Sequence, residues 1–567
     1  MSRLPFTCRP AMPARRLKQL ICIVLSSIVL LPLPSLAIPA ASSASTQLTE
    51  FISGFPDNTQ VQGELSAIEF QRELQQTKAA LARLREIDPS QLQGDDLIDW
   101  QFAQSILSGR VLAQEQVASW QSDPRRYLDF GAISRELNRP GPPADRIKIL
   151  GQALQRLPAR LANGEAQLRH YVPRFQKLAL FMAENGASLF QQELPAFIKQ
   201  HAEAAEMLSP LVTQAATALQ HYVSFLRDDL PRRPQRDFAM GEASYNAMLQ
   251  QQFLLDYDAA SLWQYGWQQF ESTVSELEAV AQRIDPDKTW QQLAVEIKND
   301  YPAPDQMIAA HQDWVNRAAA HIRDKQLIPI PWRERVEVVA RAPYLRKTSY
   351  YGNFSITRGK GADGVFTSYW NINPFEAQWD ENTQREYLTE HDWGVIIVTA
   401  PHESYGGHHV QGLYQLHNPR PLRRQQGTSL FSEGWGLYNE HLMQETGFFP
   451  DERVHLRQLQ LRLWRNARVI YDVGIHTGRM NYSEAVALMT DRVGFLPWAA
   501  QLEVDSAAAS PGYFIGYFVG MTEILAIRRE YKEREGDDFT LRQFHRELLS
   551  IGNMPPSLMR KALFQEK

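Results

Sequence analysis

Cysteine is almost absent from this 567-residue chain: Cys8 and Cys22 are the whole complement, both within the first 37 residues. If that segment is cleaved, nothing remains to form a disulfide, to hold a metal through thiolates or to act as a thiol nucleophile. A basic excess is missing as well. The chain has 59 Lys+Arg against 64 Asp+Glu, a formal charge of −5, so no nucleic-acid partner is expected. No apolar run of about 18 residues follows Leu31, so no membrane span is expected after the leader. The G-x-S-x-G elbow, the phosphate-cradling G-x-x-x-x-G-K and the dinucleotide G-x-G-x-x-G are absent too. What the chain does have is 44% apolar residues with 13 Trp, 20 Tyr and 26 Phe, a globular composition with ample material for a large core.

The first 37 residues read as a secretory signal peptide. Arg15, Arg16 and Lys18 precede an apolar run from Leu20 to Leu31, and Ser35-Leu36-Ala37 supplies a small-x-small cleavage site. Pro32 and Pro34 close the run, which is too short to span a bilayer. The long lead-in is consistent with translation from Met12. Cys22 stands at the front of the run rather than its end, which argues against a lipid-anchored cysteine. The leader carries five basic and no acidic residues, leaving 54 against 64, a net −10. The expected product is soluble and exported, to the periplasm or the medium.

Residues 38–567 read as one large, mainly α domain. From 47 to 325 apolar residues recur at helical spacing, as at Leu150, Leu154, Leu157 and Leu161 or Val274, Leu277, Val280, Ala281 and Ile284. Proline clusters at 140–143, 231–234, 302–304 and 329–331 read as helix connections. In the 326–567 half the pattern changes. Val336–Val339, Thr348–Tyr351 and Val365–Asn373 are β-branched and aromatic, predicting a small sheet of about three strands. Val365–Asn373 is either an edge strand able to pair with an extended peptide or a plain structural strand. Helices resume from about 382. The stretch Asp505–Gly520, with Gly512, Gly516 and Gly520, suits tight helix packing or a loop pressed on a site.

Histidine is concentrated. Eight of the 14 lie between His391 and His476. At the centre stand His402-Glu403, then His408-His409, and, about 25 residues on, Glu433-Gly434-Trp435. Two imidazoles and one carboxylate are the ingredients of a zinc site that keeps a position open for water. A carboxylate beside a ligand, here Glu403, is placed to take a proton from that water. The spacing departs from H-E-x-x-H. On an unbroken helix His408 is turned about 240° from His402 and about 9 Å along the axis; His409 shares its face but lies about 10.5 Å away. Gly406-Gly407 permits a distorted helix at 405–407 that brings His408 beside His402, with His409 as the alternative ligand. Glu433 also fits a simple acid near a helix N-terminus.

These residues resemble the bacterial family known as domain of unknown function 885, whose signature is close to H-E-x-x-P-G-H-H-x-Q followed by E-G-W-x-x-Y. His402-Glu403, His408-His409-Val410-Gln411, Glu433-Gly434-Trp435 and Tyr438 match it. So do Gly241–Tyr245, Asp472–His476, Pro511-Gly512, Gly516-Tyr517 and Phe544–Leu549, and coverage is roughly 47–563. Gly406 stands where that family has Pro. Val504-Asp505-Ser506 stands where Arg-Tyr tends to precede the Pro-Gly, and Tyr513-Phe514 where Gln-Ala tends to follow. More remotely, the two segments are similar to the Taq-type zinc carboxypeptidases, with H-E-x-G-H and a downstream Glu. That resemblance implies a mostly helical gluzincin-like fold, peptidase activity, His402, His408 and Glu433 as zinc ligands, and Glu403 as base.

Around this centre, Arg468, Asp472 and His476 share one helix face. They form either a solvated ion-pair ladder or a device in which Asp472 orients His476 toward an oxyanion. Tyr517 and Tyr438 are further donor candidates or core tyrosines. Arg420, Arg423 and Arg424 are either a solvated loop or a subsite for a substrate carboxylate. The expectation is therefore an exported hydrolase with one Zn2+ per chain, acting on a peptide or small amide. The alternatives are a zinc amidase for a non-peptide amide and a non-catalytic exported binding protein with a helical cleft.

Overall fold

The computed structural model describes residues 43–565 apart from 57–62, 139–142, 342–345, 347–351 and 362. The leader lies outside the described residues, and beyond residue 42 the chain forms one compact unit. The periodic segments of the first half are helices. Leu150, Leu154, Leu157 and Leu161 lie on Pro143–Gln167 and are fully buried. Leu277, Val280 and Ala281 lie on the buried face of Ala259–Ile284, which starts on an Asp258 capping box.

The sheet has three strands, β1 (Glu334–Ala340), β2 (Asn353–Ser355) and β3 (Phe366–Ile372), in the order β1-β3-β2. β1 runs parallel to β3, and β2 antiparallel. The 365–373 segment is thus the central strand, not an edge: both its neighbours use its backbone groups. The strand expected at 348–351 lies outside the described residues. On β3, Phe366, Ser368, Trp370 and Ile372 alternate into the interior.

Five helices beyond the sheet set the site. They are α1 (Trp393–Glu403), α2 (His408–Leu416), α3 (Ser429–Glu445), α4 (Glu452–Thr477) and α5 (Ile515–Glu535). α1 is almost wholly apolar, and its N-cap Asp392 accepts from Val395 N at 3.0 Å. α4 runs through the middle, buried nearly all round although it carries many polar residues. That is tolerable because its charges are paired. Arg457 bonds the buried Asp392 (2.8 Å) and Arg468 bonds Glu503 (3.0 Å). The solvated ladder expected of Arg468, Asp472 and His476 is not formed: all three are buried, and Arg468 pairs with Glu503 instead of Asp472.

α3 and α5 cross closely through glycine. A Cβ on Gly434 would lie 2.5 Å from Gly520 Cα, and one on Gly520 would lie 1.8 Å from Leu430 O. This crossing fixes the height of Glu433. Gly520→Ala must push the helices apart, at a cost of about 1–3 kcal/mol or more. The expected result is a lower urea midpoint than wild type, and an unchanged midpoint contradicts the packing described.

Candidate metal centre

The six-residue gap between the histidines is closed by a break, not by a distorted helix. α1 ends at Glu403, Ser404–Gly407 makes a turn, and α2 begins at His408. Gly406 has φ +98°, and a Cβ on Gly407 would lie 1.8 Å from His402 O, so neither position admits a side chain. α3 holds the turn in place. Trp435 Nε1 donates to Gly406 O (2.6 Å) and Asn439 Nδ2 donates to Pro401 O (2.9 Å). The rings of His402 and His408 end 4.9 Å apart.

Glu433, Gly436 and Glu440 are spaced i, i+3, i+7 and share one face of α3. The His402 ring fits across the gap at Gly436, whose Cβ would stand 2.6 Å from His402 Cε1. Glu440 lies on one side of the ring, its Oε1 2.7 Å from Nδ1. A carboxylate only accepts, so Nδ1 donates and Nε2 keeps its lone pair. On the other side, Glu433 Oε2 lies 3.4 Å from His408 Nε2. One ligand atom each from His402, His408 and Glu433 falls within 4.8 Å of the others. A tetrahedral ion with bonds of about 2.0–2.1 Å separates its ligands by about 3.4 Å, so this donor set fits a zinc-sized cation. Glu403 is half-buried beside it, and its charge acts on His408.

The electrostatics follow from three carboxylates around two imidazoles. Burial disfavours a charged His408, but Glu433, Glu403 and Glu440 outweigh it and raise His408 to about 9. Burial likewise opposes ionised Glu433, yet His408, a Tyr513 hydrogen bond and His402 lower it to about 2. Without a metal, a proton on His408 holds these carboxylates together.

His409 is not a ligand. Its Nδ1 meets Ser368 Oγ on β3 at 2.9 Å and its Nε2 meets Glu334 Oε2 on β1 at 2.8 Å, so both nitrogens anchor α2 to the sheet. His476 is no oxyanion donor in this structure. Its Nε2 bonds Ala507 O (2.9 Å), and its ring is enclosed by Tyr245 and Phe238. Nor does Asp472 orient it: Asp472 accepts from Tyr245 OH, Gly512 N and Phe514 N at 2.8, 2.9 and 3.3 Å. Tyr438 is a core residue, its hydroxyl 2.7 Å from His545 Nε2. Arg420 and Arg423 bond Asp95, Asp96 and Asp99 across the fold, and Arg424 bonds Asn418 O, so the three arginines form no carboxylate subsite. Tyr517 does stand near the centre, its ring 6.0 Å from that of Tyr513 and 4.3 Å from the Arg468 guanidinium.

Two site residues escaped the sequence reading. Glu440 was legible as the second acid on the Glu433 face, seven residues on. Tyr513 donates to Glu433 Oε1 at 2.6 Å and is 41% exposed; only tertiary folding brings it there.

The comparisons with known proteins give a family and a fold and name no activity. Residues 49–563 match the family model described as Bacterial protein of unknown function (DUF885). The chain belongs to that family. No curated protein matches it. Among solved structures, the DUF885 chain is similar to a "putative lipoprotein of unknown function" from Shewanella oneidensis, at 20% identity and TM-score 0.72, covering 93% of this chain and 100% of that one. A second protein so described as a lipoprotein, from Colwellia psychrerythraea, aligns at 16% identity and TM-score 0.66 over 92% of this chain and 99% of its own. At these identities the likeness establishes a shared fold alone.

Two outcomes are expected. Gly436→Ala drives a methyl into the His402 ring, so zinc bound per chain, measured by elemental analysis, falls well below wild type while the far-UV CD stays helical. In chelator-treated protein, His408 is raised above its unfolded 6.5, so its contribution is full below about 6.5 and is lost as pH rises through about 9. Glu433 is lowered below its unfolded 4.5, so its contribution is full above about 4.5 and is lost as pH falls through about 2. The difference in urea midpoint between wild type and His408→Gln should therefore be widest between about pH 4.5 and 6.5. A pH-independent difference contradicts the pairing.

Proposed function

We propose that this chain is an exported zinc-dependent hydrolase, a metallopeptidase of the carboxypeptidase or oligopeptidase kind. The observation that carries the reading is the convergence of two imidazoles and one carboxylate, from three separate helices, on a point sized for one cation. The residue following the first of these ligands is an acid, Glu403, which a purely structural site has no use for. The leader-like N-terminus supports export.

In this reading His402, His408 and Glu433 hold the metal, and Glu440 fixes the tautomer of His402. Zn2+ in that position would supply Lewis acidity to a water and to the scissile carbonyl. Glu403 receives the proton of the attacking water and passes it to the leaving amine. Tyr517, whose phenol is kept protonated by burial and by the Glu433 charge, is the donor available to a developing oxyanion.

The test is Glu403→Gln. The variant should retain about one zinc per chain while hydrolysis of a mixed-peptide substrate, read by mass spectrometry, drops by about 100-fold or more. A fully active Gln variant removes Glu403 from the mechanism. Zinc-free wild type that cleaves nothing removes the enzyme.

A further inference from the structure

Three features of the sequence pattern remain unused by the hydrolytic residues: the Gly241–Tyr245 segment, the Asp472/His476 pair and Pro511-Gly512. In the structure they meet at one loop. Asp472 Oδ1 accepts from Tyr245 OH and from Gly512 N, and Asp472 Oδ2 from Phe514 N. His476 Nε2 bonds Ala507 O, and its own carbonyl accepts from Gly241 N at 3.0 Å. Gly512 has φ +77°, and a Cβ there would lie 2.5 Å from Met248 Cε. The loop is thus held on both sides of the one residue that leaves it, Tyr513. That residue donates to Glu433 Oε1 at 2.6 Å, a short, charge-assisted bond.

We propose that Tyr513 is a positioning residue of the metal centre: its hydroxyl occupies one oxygen of Glu433, leaving only the other for the ion, and the Asp472 network exists to aim it. The inference rests on the metal-site reading above. Glu433 Oε2 is the oxygen that faces His408 Nε2. Turning the carboxylate to chelate through both oxygens breaks the Tyr513 bond, so the phenol keeps Glu433 a one-oxygen ligand. That preserves a four-coordinate centre with one position free. The role needs a hydrogen-bond donor at position 513. A glutamine amide is also a donor, whereas a phenylalanine ring is not.

The experiment uses the full mature chain with Zn2+ and with Co2+ as a spectroscopic probe. Tyr513→Phe removes only a hydroxyl from a partly exposed ring and should fold. Its Zn2+ dissociation constant, from competition with a chromophoric chelator, should rise about 10- to 100-fold. Its Co2+ visible bands should weaken as the coordination number increases. Tyr513→Gln should restore most of both, which a merely structural role for the ring does not predict. Tyr245→Phe, which loosens the loop, should weaken Zn2+ binding in wild type but add little to Tyr513→Phe. If Tyr513→Phe binds Zn2+ within twofold of wild type with the same Co2+ spectrum, while His402→Ala abolishes binding, this inference fails and the metal site stands. If wild type itself takes up neither ion, the metal-site reading fails, and this inference with it. If Tyr245→Phe costs the same in both backgrounds, the network does not act through Tyr513.

Discussion

The centre depends on a four-residue turn that lets two histidines six positions apart face each other. A continuous helix would leave His402 and His408 on different faces, about 9 Å apart along the axis. The chain instead stops one helix at Glu403 and starts another at His408. Such a turn in the interior exposes backbone groups that must be satisfied. α3 satisfies them with Trp435 on Gly406 O and Asn439 on Pro401 O. The same helix carries Glu433, Glu440 and the clearance at Gly436. One 17-residue helix therefore fixes the turn, supplies the candidate carboxylate ligand, orients the His402 imidazole and makes room for its ring. The E-G-W-G-L-Y-N-E run is close to incompressible, because each of its residues has a partner in the turn, the site or the core.

Charge sets the second constraint. Burying carboxylates is costly unless each is paired, and this interior contains many. The fold handles most of them with arginine: Asp392 with Arg457, Asp99 with Arg420 and Arg423, Glu503 with Arg468. Around Glu433, Glu440 and Glu403 the partners are imidazoles. An arginine holds its proton at any physiological pH, whereas an imidazole can surrender one to a metal. Arginine serves the structural pairs just named and imidazole the candidate centre, while the buried His409–Glu334 contact between α2 and the sheet is a structural pair of the imidazole kind.

Much of this was legible in sequence. Histidine crowding and the Gly406-Gly407 pair located the turn, and the Glu433 segment marked the carboxylate. The helical periodicity at 150–161 and 274–284 and the strands at 336 and 366 also read correctly, as parts of the helices Pro143–Gln167 and Ala259–Ile284 and of β1 and β3. Failures came where one residue type has two uses that only packing separates. His409 looks like a ligand by spacing, but Ser368 and Glu334 on the sheet claim both its nitrogens. Asp472 and His476 sit on one helix face, yet their partners come from residues 245 and 507–514, across the fold. Arg420 and Arg423 belong to acids more than 300 positions away. Strand order likewise depends on contacts the alternation pattern does not encode, so the central strand read as a possible edge.

The distribution of support around the centre bears on how the family pattern and this chain's departures fit together. Gly407 and Trp435 hold the turn, and Glu440 holds the His402 ring. The loop at 507–514 acts through a single side chain at its tip, so a substitution there alters the hydrogen bond to Glu433 without disturbing the helices. Tyr513 is the donor at that tip, and behind it Asp472 gathers Tyr245, Gly512 and Phe514. A buried aspartate whose partners are two loop amides and a tyrosine from another helix ties that loop to the interior at a defined place. Gly512 N and Phe514 N flank Tyr513, so the buried Asp472 holds the backbone on both sides of the residue whose hydroxyl meets Glu433.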